Sequence, residues 1–215
     1  MKLGLFGGTF DPPHLGHLIL AEEARTQLNL DRILWIVSGQ SPLKLDRPLS
    51  PVEARIEMVQ AAIADNPHFV LSRVDIDRPP PHYTIETLKI LAKEFPHDEF
   101  YFIMGEDSLR DLPRWREPHE IIKRATLAVL ARPNPSGRKE REDPKGLADL
   151  ESKVRGVSSR VVWVNAPQLE IASSEIQKRI REGRSVRYMV TEGVKRVIEE
   201  RKLYGMNNET MKNEQ

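Results

Sequence analysis

The stretch KLGLFGGTFDPPHLGH (Lys2–His17) runs from a short apolar segment straight into glycines, prolines and two histidines. The apolar residues suit a strand. The loop that follows leads into a helix through Leu18, Ala21, Ala24, Arg25 and Leu28. Gly7 and Gly8 lack a Cβ, so a ligand can approach the backbone there. The helix start offers free N–H groups and the positive end of a dipole, a ready anion site. His14 and His17 are spaced to share one face of the first turn. An imidazole can become cationic near neutral pH and so meet phosphate charge. The loop fits neither the Gly-Lys-Ser/Thr of a P-loop nor GxGxxG. A purely structural reading, a tight turn with incidental histidines, competes with a phosphate cradle.

Similar apolar runs recur downstream: RILWIV (32–37), HFVLSRV (68–74), EFYFIM (99–104), TLAVLA (126–131) and RVVWVN (160–165). Most are continuous rather than alternating, as in strands covered on both faces. Helical patterns lie between them. Ser50-Pro51-Val52-Glu53 reads as a capping box, with Ile56, Val59 and Ile63 as the buried stripe, and Thr84 to Phe95 reads as a second helix. The alternation predicts an α/β fold: a doubly wound, mostly parallel sheet with helices on both faces. Ligands of such sheets sit at the carboxyl ends of the strands, near the switch point. Residues 1–205 are expected to form one domain, with a mobile surface loop at 133–146 and a frayed tail at 206–215.

The chain has 215 residues, 33 Lys plus Arg against 32 Asp plus Glu, and no cysteine. A net charge of +1 supplies no global field for nucleic acid or an anionic membrane. The missing cysteine excludes disulfides, thiolate zinc sites and a thiol nucleophile. No apolar run approaches the roughly 18 residues of a membrane span, and the opening segment is too short for a signal peptide. A cytoplasmic protein is expected.

GGTFDPPHLGH resembles the signature of the nucleotidyltransferase superfamily with (H/T)xGH motifs, in particular its nicotinate-mononucleotide adenylyltransferase branch. The likeness extends over about residues 1–205 through separated motifs and implies a Rossmann-like nucleotidyltransferase fold. It assigns Gly7, Gly8, Thr9, Phe10, His14 and His17 to ATP. Lys44 in SPLK matches a phosphate-site lysine that also serves the mononucleotide, although Leu43 stands where the family has histidine. YTIETL (83–88) resembles the nicotinate segment, with Thr84 bonding the pyridine carboxylate; Thr84 equally suits a helix cap. In GEDSLRDLPRW (105–115), Gly105 and Asp107 fall to ATP, Asp107 on a ribose hydroxyl. Leu112 and Trp115 fall to the mononucleotide, with Trp115 stacked on the nicotinate ring. Arg132 is a bidentate clamp for the mononucleotide phosphate. IASSEIQKR (171–179) resembles the family's ISSTxIR, which assigns Ile171, Ser173 and Ser174 to ATP. The family's arginine is Gln177 here, so Lys178 or Arg181 is expected to replace its charge.

The implied reaction joins ATP and nicotinate mononucleotide into deamido-NAD and pyrophosphate, with Mg²⁺ carried on ATP. The mononucleotide phosphate is already an anionic nucleophile, so catalysis reduces to positioning and charge stabilisation by His14, His17 and Lys44. The partners implied are these two small molecules, with no nucleic acid and no membrane; a homo-oligomer is left open. Phosphopantetheine adenylylation and cytidylyl transfer share the HxGH chemistry but leave YTIETL and LPRW unexplained. Nicotinamide mononucleotide is a subtler rival substrate. A nucleotide-binding module without turnover has only Gln177 in its favour.

Overall fold

The computed structural model describes residues 1–39, 48–131, 144–167 and 169–205. Six strands form one parallel sheet: β1 (Lys2–Gly8), β2 (Arg32–Val37), β3 (Phe69–Ser72), β4 (Glu99–Gly105), β5 (Ala125–Ala131) and β6 (Val161–Asn165). Their order is β3-β2-β1-β4-β5-β6. The order reverses between β1 and β4, so the crevice beyond the ends of these neighbours is the switch point.

Helices α1 (Leu15–Gln27), α2 (Val52–Ile63), α7 (Ser173–Arg181) and α8 (Glu192–Glu200) cover one face. They bury Ala21, Val59, Ile176 and Val194 against Ile33 and Trp35. Helices α3 (Thr84–Glu94), α5 (Pro118–Arg124) and α6 (Pro144–Lys153) cover the other. There Leu88, Ile121 and Leu150 meet Leu5, Leu34 and Leu127. Successive β2 residues thus enter different cores, which is why RILWIV reads as continuously apolar. The short α4 (Glu106–Asp111) follows β4 directly and passes into a 3₁₀ turn at Leu112–Arg114. Among the described residues no helix is long and apolar enough to cross a membrane.

One expected helix cap does not form, while α3 and α7 begin where the sequence places them. Ser50 forms no capping box: α2 begins after Pro51 without a side-chain cap bond. The Ser50 N–H instead donates to Asp11 Oδ2 at 3.0 Å, so that residue is committed to the opening loop. Tyr83 takes the cap position of α3 and Ala172 that of α7, leaving Thr84 and Ser173 as first helical residues. Residues 144–146, expected to be loop, begin α6, while 132–143 and 206–215 lie outside the described residues.

Candidate active site

The site grows from the end of β1. Gly7 has open space where a Cβ would stand. Phe10 then turns at φ 48°, a left-handed conformation rare for a bulky residue, and is only 3% exposed. Its ring packs 5.1 Å from Trp35 and 5.3 Å from His17, while Phe6 approaches the same imidazole at 6.1 Å. An aromatic floor thus supports His17 from below.

His14 and His17 cap α1 reciprocally. The His17 N–H donates to His14 Nδ1 at 3.3 Å, and the His14 N–H donates to His17 Nδ1 at 3.2 Å. The rings stack with centroids 3.7 Å apart. Gly16 completes the arrangement, since a Cβ there would stand 3.0 Å from His14 Nδ1. Burial holds the His14 pKa down at about 4. Burial, with His14 beside it, holds His17 well below the ordinary imidazole value. Burial therefore biases both rings toward the neutral form. With Nδ1 accepting, each neutral ring carries its proton on Nε2, a donor directed away from the helix backbone.

A cavity of about 430 Å³ opens beside this turn, within the roughly 300–1,000 Å³ usual for small-molecule sites. Gly7, Gly8, Thr9, Phe10, His17 and Ser173 line it. Tyr83, Thr84, Arg114, Trp115 and Arg116 line it as well. Trp115 meets Phe102 edge-on at 5.9 Å, and its buried Nε1 has no hydrogen-bond partner among the described residues. The Arg116 guanidinium lies 5.0 Å from the Tyr83 ring centroid. The segment between β3 and α3 forms a wall pinned by Asp75. Its Oδ1 accepts from Thr87 Oγ1 at 2.6 Å and from Arg78 at 2.8 Å.

Other expected residues stand outside the cavity lining. His14 is buried behind His17. Leu112 is fully buried, and its carbonyl accepts from the Trp115 N–H, so it shapes the turn that carries the indole. Gly105 and Asp107 occupy the end of β4 and the first turn of α4, with Asp107 paired to Arg110 at 2.9 Å. Ile171 packs against the core and Ser174 is exposed. Lys178 reaches Glu182, and Arg181 lies beside Gly205; neither lines the cavity. Lys44 and Arg132 lie outside the described residues.

Several residues carry the site without having been singled out in the sequence. Asp11 and Arg55 are each 3% exposed; Arg55 donates to the Thr9 and Ser38 carbonyls at 2.8 and 2.7 Å. Asp11 lies inside the quoted motif, and its acidity next to a phosphate turn was the available signal. Arg55, by contrast, sits among the apolar residues of α2 with nothing local to mark it. Asp75 and His82 also belong to the wall, and Nδ1 of His82 is buried without a partner among the described residues.

Residues 5–179 match the family model described as cytidylyltransferase-like. A Thermomicrobium roseum protein described as a "probable nicotinate-nucleotide adenylyltransferase" is 43% identical over 203 residues, covering 94% of this chain and 91% of its own length. The chain belongs to the nicotinate-nucleotide adenylyltransferase family. A family member of the same description from Thermus thermophilus is also 43% identical, over 95% of this chain and its entire length. In fold, the chain is similar to a Plasmodium falciparum nicotinic acid mononucleotide adenylyltransferase solved in complex with NaAD. That match has a TM-score of 0.71 at 19% identity, covering 96% of this chain and 98% of the other.

Proposed function

We propose that this protein transfers the AMP moiety of ATP to nicotinate mononucleotide, giving deamido-NAD and pyrophosphate in NAD biosynthesis. The observation that carries the reading is that one cavity joins the glycine–histidine turn to the Tyr83, Thr84 and Trp115 wall. Two substrates must meet for the reaction, and the lining of this one cavity holds side chains suited to each. Family membership supports the same reading.

In the reaction, an oxygen of the mononucleotide phosphate attacks the α-phosphorus of ATP while the bond to the β-phosphate bridging oxygen breaks. Pyrophosphate leaves with that electron pair. The nucleophile is already anionic, so no general base is needed. His17 donates Nε2–H to the phosphates, backed by His14, and the loop and α1 supply backbone donors; such donors act most strongly where water is excluded. Lys44 and Arg132 add positive charge in this reading. Thr84 and Trp115 receive the nicotinate, with Arg116 close by. Among the described residues no three His, Asp or Glu converge on one point. Asp11 and Asp75 are already bonded by neighbours. Mg²⁺ would enter with the triphosphate and neutralise phosphate charge there.

Pyrophosphate release with ATP and each candidate acceptor tests this reading. Nicotinate mononucleotide is expected to be the best acceptor, with nicotinamide mononucleotide weaker and phosphopantetheine inert. Equal or faster release with either of the latter would overturn it.

A further inference from the structure

Four hydrogen bonds converge on Asp11 and Pro12, the residues that close the phosphate turn. The Tyr204 hydroxyl donates to Asp11 Oδ1 at 2.6 Å, and the Ser50 N–H donates to Oδ2 at 3.0 Å. Gln177 Nε2 donates to the Asp11 carbonyl at 2.7 Å, and Ser173 Oγ donates to the Pro12 carbonyl at 2.8 Å. Arg55 holds the Thr9 carbonyl just upstream. Tyr204 and Gln177 stand 193 and 166 positions from Asp11 in the chain, and neither lines the cavity.

We propose that Gln177 and Tyr204 are positioning residues for the triphosphate, tethering the Thr9–Pro12 backbone in the shape that aims its donors and His17 into the cavity. The inference rests on the reading of this turn as the ATP end of the site. Phe10 at φ 48° is a conformation that L-residues avoid, so the turn needs support from outside itself. Tyr204 is also left-handed, at φ 62°, in the short turn Leu203–Gly205. Burial and the Asp11 charge push its phenol pKa up, so the hydroxyl stays a donor at any working pH. Both Asp11 oxygens are taken, which makes this carboxylate an anchor rather than a base. Gln177 acquires a reason in the same stroke. Its uncharged amide donates to the Asp11 carbonyl without adding a second cation to the turn that Arg55 already holds.

Tyr204→Phe and Gln177→Met each remove one donor at nearly constant shape. Each is measured for thermal midpoint, for KM of ATP and of nicotinate mononucleotide, and for Kd of a nonhydrolysable ATP analogue alone. The expected result is a rise of about three- to tenfold in KM and Kd on the ATP side, as the loss of one hydrogen bond implies. KM for nicotinate mononucleotide stays within about twofold, and the double variant loses more than either single one. Unchanged ATP parameters in the folded variants would overturn the proposal, as would equal losses for both substrates. Failure of both variants to fold would also contradict it, because the tethers would then support the molecule as a whole. A wild-type protein that binds the analogue but releases no pyrophosphate would sink the functional reading instead, leaving the tether to be judged on the analogue Kd.

Discussion

At His14 and His17, burial and hydrogen bonding act on the same rings. Each Nδ1 serves the helix start, and burial keeps the ring neutral, so protonation below the ordinary imidazole pKa is resisted in the folded state. The sign of the pH dependence follows. The folded-state pKa values are depressed, so the unfolded chain takes up protons first as pH falls below about 6.5. The contribution of this pair is complete above about pH 6.5 and is lost as pH falls towards the His14 value of about 4. Calorimetric midpoints should therefore drop across this window, and a His14→Gln variant should drop less. An identical slope in that variant would show that other groups dominate. The motif itself was legible in the sequence, because spacing alone brings the two rings together. The lowering of their pKa values was not legible, since it comes from burial, to which Phe6 and Phe10 contribute at His17.

Among the elements, α1 shows how a short motif is held. Gly16 lies under the His14 ring, and that ring is fixed by its stack on His17 and its bond to the helix backbone. Gly16→Ala raises intrinsic helix propensity but places a methyl 3.0 Å from Nδ1. We expect the steric effect to win, with a net loss of about 1 kcal/mol, the usual scale for a lost N-terminal cap. Urea denaturation checks this; an equal or higher midpoint would show that the ring gives way freely. The helices that position the cavity were partly legible. The α3 pattern and the strand ends near Trp115 could be read, whereas the expected cap at Ser50 does not form. A capping box is a local signal, and a tertiary contact with Asp11 takes Ser50 out of it.

For the molecule as a whole, one sheet separates two cores. Val59 and Leu88 are both fully buried, on opposite faces. Truncating Leu88 to alanine should cost about 2–5 kcal/mol and Val59→Ala somewhat less. The double variant should show their sum to within about 0.5 kcal/mol, since the sheet stands between the two sites. A larger departure in chemical denaturation would mean that the cores couple across it. The parallel sheet and its two covered faces were legible because the apolar runs are continuous and the spacers helical, whereas the strand order came from the structure. The tethers on Asp11 were not: Arg55, Gln177 and Tyr204 are remote in sequence, and only the fold brings them to one turn.

In the proposed reaction His17 serves the triphosphate from the mouth of the turn. Pyrophosphate release by His17→Ala, with nicotinate mononucleotide and saturating ATP, tests it most directly. Turnover should fall by about a hundredfold or more, the scale of losing a preorganised donor, while the circular dichroism spectrum is preserved. A folded variant that turns over at close to the wild-type rate would contradict the account.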